Sequence, residues 1–492
     1  MQVFIKNPVN MFHHIMQMAN YDRLLKTIWG IYCLMTLYLA AITPVHGFPT
    51  EGYITGMGVL ETWDFANRPI TVPYVYKLLF NDIDVIELGQ YLIAIGSWTV
   101  LAYAMTQIMN THWLKIVAFT VILMFSISRE IYIWNSMILA ESLSHSLMAA
   151  VIGAGILLAQ WHDVNHAQVS TGHQFKVSFS MLFLLFFWSM TRDPNSYVLL
   201  GVAGMLSLWL LWVLAIGDKH KSYFLLPMMV ILGSVFIFLI QLDSASRGQR
   251  WHIPFMNVLG ERILTDAEHT QFFVEHGMPI NDRVMQYAGY RAWHFQPDHD
   301  LRFEIGDWMA ASGRQAYAEF LLSRPVDNLL APIREWAELL SYEYSLTFLV
   351  EMYDNDDFPL WHRVMSCLAF PDDILACGVT VNHARDFSDG AFAFPVLLLV
   401  VPLLLMLLSF YLVGWDQRQW LPLGLLVSAY ILAFIVWHGD ADSVSRHAVQ
   451  VNILYRMAGW IIALLAIDHL WQGRAVNRHY LDSIHHEGTN PN

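Results

Sequence analysis

Ten runs of apolar residues constrain this chain more than any motif does. They cover 24–43, 86–107, 113–128, 138–159, 175–191, 195–216, 222–241, 392–413, 419–438 and 451–471. A helix of about 20 apolar residues crosses a hydrocarbon core about 30 Å thick. Lipid offers no partner to an unpaired backbone amide, so such runs cross as helices. Only 14% of the 492 residues are charged and 56% are hydrophobic, whereas soluble domains carry about 25% charged residues. The mean hydropathy is +0.41. The chain is therefore expected to be an all-α polytopic membrane protein of about ten spans.

Lysine placement sets the expected orientation. With the N-terminus inside, Lys6, Lys26, Lys115, Lys176, Lys219 and Lys221 fall in or at inner segments, and only Lys77 lies outside. Arg474 and Arg478 add to the inner charge, in keeping with the positive-inside rule. An even number of spans leaves both termini inside. Residues 1–23 suit an amphipathic helix on the inner membrane face, and the first span is too long for the core of a cleaved signal peptide.

The expected organisation is a membrane unit over 24–241 with an outer loop at 44–85, an outer domain over 242–391, a second membrane unit over 392–471 and an inner tail over 472–492. The outer segment is too polar to span and contains no lysine, and it carries much of the net charge of −14. That charge excludes a nucleic-acid partner, which calls for a basic surface. Trp308, Met309, Ala316, Tyr317, Phe320 and Leu321 recur at helical spacing and stop before Pro325, so this domain is expected to be mainly helical. Cys367 and Cys377 suit either a small-loop disulfide in an oxidising outer compartment or two buried free thiols, while Cys33 sits in the first span. The run Asp354-Asn-Asp356-Asp357 lacks the remaining ligands of a calcium loop, His294 and His299 lack zinc spacing, and no phosphate-binding Gly-rich loop occurs.

The ionisable residues near the spans gather at the outer side. They include Glu51, Asp64 and Arg68 after the first span, Arg129 and Glu130 after the third, and Glu141 at the start of the fourth. Arg192 and Asp193, with Asn195, follow the fifth span; Asp440, Asp442, Arg446 and His447 precede the last, which holds Arg456. Charge near lipid is costly and marks function by default. Arginines at a membrane face suit an anionic phosphodiester, because the guanidinium presents paired donors. A carboxylate close by suits deprotonation of a hydroxyl. Each residue also has a structural alternative: Glu51 as a helix cap, Arg192 with Asp193 as an ion pair, and the two aspartates as turn residues.

Four segments resemble the GT-C glycosyltransferases, polytopic enzymes that use lipid-phosphate sugars. They are the loop Pro44–Leu79 with Glu51, Tyr53 and Arg68-Pro69; Trp134–Leu147 with Glu-Ser-Leu-Ser-His-Ser-Leu; Thr-Arg192-Asp-Pro-Asn195-Ser-Tyr197; and Asp442-Ser-Val-Ser-Arg446-His447. The resemblance covers the membrane part and leaves the outer domain unexplained. It extends to the aminoarabinose and protein O-mannosyl transferases, whose acidic residue in the first loop is commonly Asp where this chain has Glu51. Asp64 stays open as the alternative base.

The resemblance implies a GT-C-like bundle with the helical, periplasmic domain inserted between the seventh and eighth spans. It implies a polyprenyl-phosphate sugar donor, a glycan, lipid or protein acceptor, membrane lipids as surroundings, and an inverting transfer at the outer face of a bacterial inner membrane. Arg192, Arg446, Arg456 and Arg129 would hold the donor phosphate. Glu141, Tyr53, Asp193, Asn195, Asp442 and His447 would contact substrate or metal. Some members use a divalent cation such as Mg or Mn and others none, so both remain open. A glycan polymerase or ligase, a lipid or glycan transporter, and a scaffold with an acidic outer domain are the rival readings.

Overall fold

A computed structural model describes residues 8–42, 69–165, 171–215, 225–291, 301–340, 360–369, 393–442 and 444–487, and the regular elements among them are all helical. The long helices are α1 (Pro8–Ile42), α3 (Ile83–Ile108), α4 (His112–Ile127), α6 (Ala140–Asn165), α7 (Thr171–Ser189), α8 (Asp193–Ala215), α9 (Leu225–Arg247), α18 (Ala393–Val413), α19 (Trp420–Gly439) and α21 (Val449–Glu487). Between them lie α2 (Thr71–Leu78), α5 (Arg129–Tyr132) and α20 (Val444–His447). The segment between α9 and α18 contributes α10 (His252–Val258), α11 (Ala267–Glu275), α12 (Asp282–Met285), α13 (Leu301–Trp308), α14 (Arg314–Ser323), α15 (Pro325–Arg334), α16 (Trp336–Leu340) and α17 (Leu360–Ala369).

Each of the ten long helices covers most of one of the ten apolar runs, with bounds that differ by a few residues at the ends. Among the described residues seven helices are long and apolar enough to cross a membrane, so the chain is a helical polytopic membrane protein. Three of the expected spans differ from the rest. The apolar helical stretches Phe175–Ser189 and Leu399–Val413 are shorter, and α4 reaches span length only together with Arg129–Ser136, across a 51° bend. The bend has a local cause: Ser128 is extended, and its hydroxyl donates to the carbonyl of Phe125 at 2.6 Å, ending the α4 ladder. Beyond it α5 and a 3₁₀ turn over Ile133–Ser136 are buried. Irregular backbone is tolerated near membrane depth where protein covers it.

Helix α21 is the axis of the bundle, with 83% of its spanning stretch buried. It packs against α18, α19 and α4, while α3 and α6 pair side by side. That second pairing depends on Gly153: a Cβ there would stand 2.8 Å from the backbone N and Cα of Leu101. Small residues of this kind let membrane helices approach backbone to backbone. At one end of the bundle the side chain of Asp468 accepts from the backbone N–H of Asn110 at 3.0 Å and Thr111 at 2.9 Å. It also pairs with Arg418 at 2.5 Å. This joins the α3–α4 turn, the α18–α19 turn and α21, three segments that alternation of the spans puts on one side.

The segment expected as an outer domain divides between two cores. Phe255, Leu259, Ile263, Phe273, Trp308, Met309, Ala316 and Phe320 form a core of their own, to which Ala441 is added; Tyr317 and Leu321 pack against it. The helical spacing expected there is present, with α13 and α14 joined through a π-helical turn and the helix ending before Pro325. By contrast α16 and α17 bring Leu339, Leu340, Ala369, Trp336, Trp361 and Met365 into the core of the membrane bundle. Cys33 is free and Cys367 is disulfide-bonded; Cys377 lies outside the described residues.

Candidate functional site at one end of the bundle

Opposite the Asp468 end, four segments converge. Helix α6 begins with Ala140-Glu141, and its i, i+3, i+4 spacing puts Glu141, Ser144 and His145 on one side. The turn from α7 to α8 carries Thr191, Arg192 and Asn195. The short helix α20 carries His447, and the first turn of α21 carries Gln450. The fourth segment is the end of the first loop. There Thr71 donates its N–H to Met190 O at 3.0 Å and its hydroxyl to Phe187 O at 2.8 Å. That anchor lies two residues along the chain from Arg192. Helix α2 is held in turn by Tyr76, whose hydroxyl bonds Gln90 and Leu139 O, and Gln90 caps the carbonyls of Asn135 and Met137.

Arg192 is the centre of the cluster. Its guanidinium is buried, 2.6 Å from Nδ1 of His447 and 3.9 Å from a carboxylate oxygen of Glu141. A guanidinium only donates, so Nδ1 of His447 carries the lone pair and Nε2 the proton. Nε2 faces Asp440 at 3.6 Å. The Glu141 contact is too long for a hydrogen bond and acts through charge. Three expected site residues, Arg192, Glu141 and His447, thus meet in one place.

Asn195 joins them through Ser144. Its amide donates to Ser144 Oγ at 2.8 Å and to Thr191 Oγ1 at 2.9 Å, and Gln450 also donates to Ser144 Oγ at 2.8 Å. The other ends of these side chains are unsatisfied. Asn195 Oδ1, Gln450 Oε1 and both ring nitrogens of His145 are buried with no hydrogen-bond partner among the described residues. A buried polar atom left without a partner costs about 1–3 kcal/mol, and native structures keep few of them. Here several lie on residues tied to one serine or its neighbour.

The loop before α21 is held from the inserted segment. Asp440 accepts from Asn257 at 2.8 Å and from the N–H of Asp442 at 2.9 Å. Asp442 pairs with Arg291 at 3.0 Å, and Arg291 pairs with Glu261 at the same distance. Arg262 lies over the ring of Trp437 at 3.6 Å and donates to the carbonyls of Trp437 and Asp440. Burial pushes the Asp440 carboxyl above its ordinary value, with the hydrogen bonds from Asp442 and Asn257 opposing the shift.

The remaining candidates lie elsewhere or point elsewhere. Asp193 turns to Arg250, at 2.8 and 3.0 Å, and to Gln241, tying the start of α8 to the end of α9. It therefore serves a structural ion pair with Arg250 and not the Arg192 cluster. Arg456 is almost completely buried nearly two turns inside α21. It donates to Asn452 and, at 3.4 Å, to Leu340 O. Asn452 and Arg456, one turn apart, share the face of α21 that meets α16, whereas Gln450 faces Ser144. Arg129 stands at the bend after α4, where its backbone N–H donates to Ser366 Oγ of α17 at 2.7 Å. Arg446 lies in α20, but its side chain is outside the described residues, as are Glu51, Tyr53 and Asp64. The runs around Asp354 and His294 lie outside them too.

Among the described residues no group of three or more His, Cys, Asp or Glu is placed to hold a metal ion. Of the described candidates, Asp193 and Asp442 pair with Arg250 and Arg291, while Glu141 and His447 lie beside Arg192. Three residues of the cluster, Ser144, His145 and Gln450, were not singled out as site residues from the sequence. The i+3 and i+4 spacing from Glu141, and from His447 to Gln450, is the signal that finds them. No protein-family model, curated protein or solved structure matches the chain.

Proposed function

We propose that the protein is an integral-membrane glycosyltransferase of GT-C type. It moves a sugar from a polyprenyl-phosphate donor to a glycan, lipid or protein acceptor at the outer face of a bacterial inner membrane. The observation that carries this reading is the buried Arg192, flanked by Glu141 and His447 at the end of the bundle where the first loop is anchored through Thr71. An arginine at the ends of membrane helices suits a lipid-borne phosphate, whose oxygens match its paired donors. The unsatisfied acceptors of Asn195, Gln450 and His145 suit a ligand rich in hydroxyls, such as a sugar.

In this reading the acceptor hydroxyl gives its proton to Glu51, with Asp64 as the alternative base, and its oxygen attacks the anomeric carbon from the face opposite the phosphate. The C1–O bond breaks with its electron pair passing to the phosphate oxygen, and polyprenyl monophosphate leaves. Arg192 meets the charge that develops there, which is worth more in a site shielded from water. Arg446, Arg129 and Arg456 are further phosphate candidates. The reading takes all ten apolar helices as spans, both termini as cytoplasmic, and the inserted helices as periplasmic.

The test is transfer from a panel of radiolabelled polyprenyl-phosphate sugars by purified protein, wild type beside Glu51→Gln and Asp64→Asn. Loss of transfer in one variant alone identifies the base. Transfer unaffected by either variant refutes the assigned base. Absence of transfer from every donor by folded wild-type protein would leave a polymerase or transporter in its place.

A further inference from the structure

Helix α15 leaves one face uncovered. Helical spacing puts Val326, Leu329, Leu330 and Ile333 on one side, and they are 66, 49, 40 and 48% exposed. Leu322 in the last turn of α14 extends the strip and is 76% exposed. The edge beside this face is charged, with Asp327 and Arg334 paired at 3.0 Å. An exposed apolar strip with a polar rim marks a contact surface.

The neighbours of α15 identify what covers it. The carbonyl of Asn328 accepts from Nε2 of His438 at 2.9 Å, and the carbonyl of Leu329 accepts from the hydroxyl of Tyr430 at 2.5 Å. Both side chains belong to α19, which is long and apolar enough to cross a membrane. Tyr430 lies nine residues before the last residue of that helix, Gly439, about 13 Å along the axis. Helix α15 is therefore tied to the flank of a helix long and apolar enough to span a membrane, next to its Gly439 end, with the Tyr430 side chain reaching toward it from lower on the same helix.

We propose that α15 is an interfacial helix whose Val326, Leu329, Leu330 and Ile333 face lies in the acyl region of the leaflet at the Gly439 end of α19. Asp327 and Arg334 sit at the headgroup level, where charged side chains reach water from an apolar stem. The helix reaches the candidate site through His438, which binds the Asn328 carbonyl on one side and accepts from the Tyr317 hydroxyl through its own carbonyl at 2.6 Å. His438 heads the loop that carries Asp440 and His447. Lipid contact at α15 thus fixes one wall of that loop. This inference rests on membrane embedding and holds whether or not the transfer reading does.

The test is site-directed spin labelling in liposomes of phosphatidylethanolamine and phosphatidylglycerol. Single labels replace Val326→Cys, Leu330→Cys, Ile333→Cys, Asp327→Cys and Arg334→Cys in a Cys33→Ser background, Cys367 staying in its disulfide. All five sites are exposed, so the fold tolerates the label, and two or more positions on each face guard against one failed variant. The first three are expected to be relaxed by dissolved oxygen and not by a water-soluble nickel chelate, and the last two the reverse. Nickel access at all five would overturn the proposal in favour of a solvated helix. Shielding of the first three from both reagents would overturn it in favour of a covering protein.

Discussion

Arg192 must serve two neighbours at once, His447 at 2.6 Å and Glu141 at 3.9 Å. A lysine keeps the charge but presents a single ammonium, so it cannot reproduce a planar, forked set of donors. Arg192→Lys is predicted to lower kcat/KM for a polyprenyl-phosphate sugar by roughly 10- to 100-fold, the worth of one charge-assisted hydrogen bond, with little change in thermal stability. Steady-state kinetics beside a melting curve checks both parts. Away from the site, Asp266 caps α11 by accepting from the N–H groups of His269 and Glu268 at 2.9 Å each. The N–H of His269, chiefly, holds its carboxyl below the usual range. Because the folded value is depressed, the contribution of Asp266 is present above the unfolded carboxylate value of about 3.9. It is lost as pH falls through the folded value. Asp266→Ala is predicted to cost about 1 kcal/mol at neutral pH and nothing once the cap is protonated, measured as melting temperature against pH. The arginine, glutamate and histidine of the cluster were legible as outer-side charges. Ser144 and Gln450 are uncharged and stand out only through their helical spacing from Glu141 and His447, and their role shows once the two helices face each other.

At the scale of elements, close approach and buried charge hold the bundle. Gly153→Val in α6 would drive side-chain carbon into the backbone of Leu101, and overpacking of this kind costs about 1–3 kcal/mol or more. The predicted outcome is a lower melting temperature and a lower folded yield in detergent, while a serine-sized residue on the lipid-facing side of the same helix changes neither. At the other end, Asp468 serves two backbone amides and Arg418. Asp468→Leu leaves Arg418 half-matched and the amides bare, and is predicted to destabilise by about 3 kcal/mol, measurable by thermal denaturation. The apolar runs predicted the long helices because length and hydropathy decide both. The 51° break after α4 was not legible: it depends on Ser128 ending a ladder, and serine is unremarkable within an apolar helix. The division of the inserted segment between two cores was equally hidden, because Trp336 and Met365 carry no mark of which helix they will meet.

For the molecule as a whole, alternation of spans makes a geometric demand that the loops satisfy. Ile108–Thr111, Asp416–Gln419 and Asp468 meet at one end, and the segments bearing Thr71, Arg192, Asp440 and His447 meet at the other. In the proposed topology the first end faces the cytoplasm, as the positive-inside rule suggests, so a membrane-impermeant thiol reagent applied to intact cells is predicted to miss a cysteine placed at Thr111 and to label one at Arg283. The most direct measurement is sugar transfer from polyprenyl-phosphate donors by the purified protein in liposomes, wild type beside Arg192→Ala. Wild type is expected to transfer at least one sugar, with release of polyprenyl monophosphate, and Arg192→Ala to lose that transfer while remaining folded. Full transfer by Arg192→Ala, or none by folded wild type with any donor, would contradict the proposed function.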